Sequence, residues 1–137
     1  MILVDTGPLV ALFDSRDRHH SRCKALLREL REPLYTTVPV LTEAFHLLSP
    51  ASRGSTALRE FVRRGGLSIW FFDPATLRRA FELIEEYADH PMDLADASLV
   101  VAAEELQTRR IFSLDRDDFS TYRVRVGRRL EAFELLP

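Results

Sequence analysis

Two stretches decide the fold: Ile2-Leu3-Val4-Asp5-Thr6-Gly7-Pro8 near the start and Arg110-Ile111-Phe112-Ser113-Leu114-Asp115 near the end. Each carries a short apolar, β-prone run followed by an aspartate. A run that is apolar at every position, rather than at alternate ones, reads as a strand buried on both faces, the habit of parallel sheets. Thr6 and Gly7, with Pro8 near the first helical position, then predict a helix through Phe13. A strand feeding directly into a helix is the opening of a parallel α/β unit.

The pattern repeats outward from these two stretches. Asp17 is placed to cap a second helix with Cys23, Leu26, Leu27 and Leu30 on one face, stopped by Pro33. Leu34-Tyr35-Thr36-Thr37 reads as a strand. Pro39 opens a helix through Leu48 with Val40, Ala44, Leu47 and Leu48 inward, and another runs from Ser52 to Arg64 against Gly65-Gly66. Leu67 to Phe72 reads as a strand, and Pro74 opens a helix with Leu77, Ala80, Phe81, Ile84 and Tyr87 inward. Asp93 to Thr108 is helical and apolar almost throughout, and Arg110 to Leu114 is a strand. Tyr122 to Val126 reads as a last strand, with Phe133 to Leu136 as a short edge segment. The alternation predicts a single-domain, three-layer α/β fold over residues 1–137, a central parallel sheet flanked by helices.

Composition agrees. The chain has 137 residues, 46% hydrophobic and 29% charged, which excludes a disordered, fibrous or disulfide-scaffold protein. Cys23 is the single cysteine, so no intrachain disulfide forms. No apolar run approaches the roughly 20 residues of a membrane span. An acid at the fifth position and no preceding basic residue are unlike a signal peptide, so a cytoplasmic location is expected. Net charge is −2, from 19 basic and 21 acidic residues, so there is no bulk attraction for nucleic acid. Lys24 is the only lysine. The arginine bias follows from genome base composition or from the fit of guanidinium forks to phosphate.

Ligands of open α/β sheets sit beyond the carboxyl ends of the strands, which directs attention to Asp5 and Asp115. Either residue is also well placed to cap a helix. Glu43 borders the stripe of Val40 and Leu47. Asp96 lies in the first turn of a helix that carries no further charge until Glu104. The helix dipole favours an acid there, but its side chain still needs a partner or a metal. Asp93, three residues earlier, is a good N-cap and a candidate ligand or supporting group. Four carboxylates about 5 Å apart repel by roughly 3 kcal/mol per pair at an effective dielectric of 20. The sum exceeds a domain's net stability, so a hard divalent cation or protonation is required. Oxygen-only ligation suits Mg²⁺ or Mn²⁺ over zinc, and His19, His20, His46 and His90 form no zinc motif.

The ordered set Asp5-Thr6, Glu43, Asp96-Ala97 and Ser113-Leu114-Asp115, followed by Asp118-Phe119, resembles the PIN domain. The likeness is greatest to the small VapC-type toxins of bacterial and archaeal toxin–antitoxin pairs, and it spans essentially the whole chain. It implies metal-dependent ribonuclease activity from a pocket of three or four carboxylates. By position, Asp5, Glu43, Asp96 and Asp115 are the catalytic acids. Asp5, Asp96 and Asp115 are the ligands of Mg²⁺ or Mn²⁺, and Thr6 and Ser113 are nearby hydroxyls. Asp118 matches an extra acid of some members, with Asp117 a competing candidate.

Arg16, Arg18 and Arg116 are expected at the rim as phosphate contacts, and Arg53, Arg59, Arg63 and Arg64 form a second basic stretch. Expected partners are an RNA substrate, an antitoxin and a second copy of the chain, with no membrane. The antitoxin's tail would order over Leu26, Leu30, Val40 and Leu47 and put a basic side chain among the acids. The second copy is expected because Trp70-Phe71-Phe72 sends aromatic side chains to both sheet faces. Alternative functions are a PIN-domain RNA-binding or RNA-processing protein that is not a toxin, with or without cleavage, and a DNA or flap nuclease. A phospho-receiver domain would need a lysine late in the chain, whereas Lys24 is on an early helix.

Overall fold

In the computed structural model, which describes Met1–Pro137, the chain runs β1 (Ile2–Val4), α1 (Thr6–Phe13), α2 (His20–Glu29), β2 (Leu34–Thr37), α3 (Val38–Leu48), α4 (Arg53–Arg63) and β3 (Ser68–Trp70). It continues through α5 (Pro74–Glu86), α6 (Leu94–Leu106), β4 (Arg110–Phe112), α7 (Arg116–Thr121), β5 (Arg123–Val126), β6 (Arg129–Ala132) and β7 (Glu134–Leu136). Five strands form one sheet in the order β3-β2-β1-β4-β7, and every pairing is parallel. β1 is central, with Leu3 in register with Tyr35 on one side and Ile111 on the other. Its three side chains are at most 1% exposed, as a strand covered on both faces must be.

The helices supply that cover. α1 packs on α2, α3 and α4, and α6 packs on α3 and α5. α6 is the most buried helix, with Ala95 and every residue from Ala97 to Ala103 inside. One continuous apolar cluster joins β1, β4, α6 and the aromatic side chains Phe119 and Tyr122. No helix is long and apolar enough to cross a membrane.

Several elements differ from their sequence pattern. Asp17 does not cap α2: its carboxylate accepts from the His19 amide at 2.8 Å, closing the turn before the helix, which begins at His20. Leu47 is 59% exposed and Phe81 48% exposed, and Leu83 takes the central buried position in α5. β3 spans only Ser68–Trp70, and β4 ends at Phe112. α6 ends at Leu106, where Gln107 adopts a left-handed conformation (φ 54°). β5 is not a strand of the main sheet. It pairs antiparallel with β6 in a separate two-stranded ribbon, as its alternation of exposed arginine with valine suits. α7 carried no apolar periodicity to announce it, having Phe119 as its one buried residue.

One close approach has a measurable consequence. A β-carbon on Gly54, at the start of α4, would lie 2.4 Å from the carbonyl oxygen of Phe13 at the end of α1. Helix propensity alone makes Gly→Ala favourable by about 1 kcal/mol. Here the backbone clash dominates, and Gly54→Ala should destabilise the protein by about 1–3 kcal/mol. Urea unfolding measures it, and an unchanged or higher midpoint would refute the packing.

Candidate functional site

β1 and β4 lie side by side and parallel, so the residues beyond their carboxyl ends meet. Asp5 follows β1 and is the N-cap of α1. Its Oδ1 accepts from the Thr6 amide and its Oδ2 from the Ser113 hydroxyl, both at 2.8 Å. Ser113 is fully buried, and its Oγ also accepts from the Asp115 amide at 3.0 Å. One serine thus ties the two strand-end acids together. Asp115 is in turn the N-cap of α7, its Oδ1 accepting from the Asp118 amide at 3.1 Å.

The opposite wall is the start of α6. Asp93 caps it, accepting from the Asp96 amide at 2.8 Å, and Asp96 returns a carboxylate oxygen to the Asp93 amide at 3.4 Å. This is a reciprocal capping box. The Tyr122 hydroxyl also reaches Asp96 Oδ2, at 3.4 Å. Glu43, on α3, is exposed at the edge of the same space.

Together these residues line a cavity of about 710 Å³. Seven of its eleven lining residues are acidic and one, Arg116, is basic, so its electrostatics are set by carboxylates. Asp5, Glu43, Asp96, Asp115 and Arg116 are all brought to it, with Asp93, Asp117 and Asp118 beside them. Arg16 is not among the lining residues. It is exposed, faces Asp14, and belongs to a separate cavity of about 310 Å³ that also contains Arg53. Arg18 donates from Nε to the ring Nε2 of neighbouring His19 at 3.1 Å and is not among the lining residues. Arg63 and Arg64 pair with Glu60 on their own helix. Val40 is fully buried and contributes to no open groove.

The crowding appears in the acids' proton affinities. Burial pushes the Asp5 carboxyl up to about 6 against the hydrogen bonds from Ser113 and Thr6, and Asp115 and Asp93 add to the rise. Burial and the charges of Asp93 and Asp5 push Asp96 up to about 8. Burial, then Asp93 and Asp5, also raise Glu43, and burial is the largest cause for Asp115. Each of these groups holds its proton more tightly than a free carboxyl does.

A hard cation fits this donor set. The ligating atoms on offer are oxygens. The Thr6 hydroxyl beside Asp5 is buried without a protein partner. No three acids converge into a closed cage, although all of them line the one cavity. An open set of this kind suits a hard divalent cation that keeps several waters and takes few carboxylates directly.

Sequence reasoning placed Asp93 second to Asp96 and left Asp118 open. Both were findable from one signal. Asp93-x-x-Asp96 and Asp115-x-x-Asp118 are the same spacing, each opening a helix. His90 and Tyr122 carried no local signal, because they reach the acids only through tertiary folding.

Comparison with known proteins places the chain. The PIN domain family model matches residues 2–124. Ribonuclease VapC26 of Mycobacterium tuberculosis is 27% identical over 125 residues, covering 89% of this chain and 92% of that protein. Among solved structures, VapC20 of Mycobacterium tuberculosis, described as a sarcin-ricin loop cleaving toxin, superposes with a TM-score of 0.76 at 18% identity, over 85% of this chain and 92% of that one. A toxin–antitoxin complex from Klebsiella pneumoniae gives a TM-score of 0.68 at 19% identity, over 88% and 92%.

The raised carboxyls fix the sign of a pH effect. Between the ordinary value of 3.8 and about 8, Asp5 and Asp96 are protonated more fully in the folded protein than in the unfolded chain. Stability contributed by these groups is therefore present at low pH and lost as pH rises through that window. In chelator, urea unfolding at pH 5 and pH 8 should show a lower midpoint at pH 8, with a smaller drop for Asp96→Asn. An equal drop in the variant would show that Asp96 is not the strained group.

Proposed function

The chain belongs to the PIN domain family, and from that membership and the acidic cavity we propose that it is a divalent-metal-dependent endoribonuclease, the toxin of a VapBC-type pair. The observation that carries the reading is the gathering of acids from beyond the ends of β1 and β4, from α3 and from the start of α6 at the carboxyl edge of a parallel sheet. Structural relatives described as a sarcin-ricin loop cleaving toxin and as part of a toxin–antitoxin complex support both halves of it.

In this reading Asp5, Asp96 and Asp115 hold Mg²⁺ or Mn²⁺, directly or through water. A bound divalent cation supplies water activation and neutralises charge developing at the phosphodiester. Ser113 keeps Asp5 and Asp115 in fixed orientations by bonding to both. Glu43, exposed at the edge, is free to orient a water or complete the ligand set. Arg116 is the one cation on the cavity wall and the group placed to receive a phosphate of the RNA. RNA as the substrate puts the work of the protein in the cytoplasm.

The partners follow the same logic. An antitoxin that delivers a basic side chain to this cavity would answer the repulsion a cation answers, and so compete with it. A second copy of the chain would cover apolar surface that a lone monomer leaves open. Phe71 is 67% exposed, Leu47 59% and Val38 46%. Trp70 and Phe72 do not share that exposure, being stacked edge to face at 5.3 Å and packed on the core.

Two measurements decide the reading. Asp5→Asn and Asp96→Asn should reduce divalent-dependent cleavage of single-stranded RNA to the level seen in excess chelator, with folding intact. Wild-type rates in either variant would remove that acid from the site, and preference for single-stranded DNA would move the protein to a different substrate class. Light scattering should return twice the monomer mass at micromolar concentration. Phe71→Ser should lower the dimer's stability, and a monomer across that range would refute the pairing.

A further inference from the structure

We infer that His90 is a positioning residue that holds the Asp118 carboxylate beside Asp115 and locks α7 against the loop leading into α6; this rests on the reading of the cavity as a cation site. The two Asp-x-x-Asp segments begin alike and end differently. At α6, Asp96 turns its carboxylate back to the Asp93 amide and closes a capping box. At α7, Asp118 does not return to the Asp115 amide, which donates to Ser113 instead. Its Oδ1 lies 2.7 Å from His90 Nε2.

His90 sits in the loop between α5 and α6, three residues before the α6 cap. Its ring is oriented by Tyr122, edge to face with centroids 5.7 Å apart. Tyr122 is itself fully buried and boxed by Tyr87 and Phe119. Its hydroxyl reaches the Pro91 carbonyl at 3.3 Å and Asp96 at 3.4 Å. The loop is therefore fastened to both acidic walls. One attachment runs through Tyr122 to Asp96. The other runs through His90 to Asp118, whose amide holds the Asp115 carboxylate.

The chemistry gives this arrangement a purpose. The walls starting α6 and α7 carry five of the cavity's seven acids and repel each other. An imidazole N–H donated to Asp118 satisfies one carboxylate without a cation. It also sets the approach of α7, and with it the position of Asp115. Partners of this kind, one step removed from the ion, orient the ligands that touch it.

The test uses the full-length protein without RNA and Mn²⁺ alone as the probe, titrated by calorimetry, with melting temperature measured on the same samples. His90→Ala should weaken Mn²⁺ binding about tenfold, the usual loss for a group that orients a ligand. His90→Gln, whose amide N–H can stand where Nε2 does, should restore most of that affinity. Asp118→Asn keeps an oxygen that accepts from His90 and should bind Mn²⁺ like the wild type, whereas Asp96→Asn should not. A loss in Asp118→Asn as large as in Asp96→Asn would make Asp118 a ligand and overturn the inference. So would wild-type affinity in His90→Ala, whatever its melting temperature. Wild-type affinity in Asp96→Asn would instead bring down the cation-site reading, and this inference with it.

Discussion

Like charges gathered in a small volume are the constraint around which this molecule is built. Seven acidic residues share one cavity, and the fold answers them mainly with backbone donors. Asp5, Asp93 and Asp115 are each the N-cap of a helix that begins at the cavity wall. An N-cap carboxylate satisfies orphan amides and meets the positive end of the helix dipole. Capping and function are usually weighed as rival explanations of an aspartate at a strand end. In this protein they are one explanation, because the cap is what allows an acid to remain in a crowded negative site. The compensation is incomplete, as the raised carboxyls of Asp5 and Asp96 record.

What the sequence disclosed follows from the same physics. Asp5 and Asp115 were legible because two apolar runs each stop at an acid, although either acid alone also reads as a helix cap. Asp96 was legible because the body of α6 is so apolar that its acid stands alone. Glu43 was legible only as a borderline position, and its exposure agrees with that. The parallel sheet was readable from alternation, but strand lengths were not. Side-chain hydrophobicity continues past Trp70 and Phe112, where strand pairing stops. α7 was invisible for the opposite reason: six residues with one buried side chain present no period. His90 is 28 positions from Asp118, and no local pattern encodes a contact at that separation.

The arginine excess divides into two physical roles. Arg79 is only 19% exposed and bridges α5 to α6 through Glu104, with Glu82 and Glu86 nearby. Glu104 also accepts from the Arg125 amide, which fastens the β5–β6 ribbon to the back of α6. Arg110 joins Glu32 and Glu134, linking β4 to the chain before β2 and to the edge strand β7. A planar guanidinium with several donors serves such multi-partner contacts in a way that a lysine's compact charge does not. These arginines are engaged by carboxylates and are not free for phosphate. Arg116, on the cavity wall with its guanidinium bonded only to the Pro137 carbonyl, is the different case.

The first turn and the body of α6 do opposite work. Its body, from Ala97 to Ala103, is buried among apolar neighbours and anchors the sheet. Its first turn presents Asp93 and Asp96 to the cavity, where burial and the charges of Asp93 and Asp5 act against ionisation of Asp96. A helix with a weaker body would relieve the repulsion by fraying at its first turn, since terminal turns are the easiest to open. Packing along the remainder of the helix denies that escape, and the capping box holds the turn closed. The acids then remain in place, and the repulsion has to be met by protonation, by a divalent cation or by a basic group from a partner. This links the core of the protein to its chemistry: an apolar helix body keeps two carboxylates where only a positive charge can relieve them without a proton.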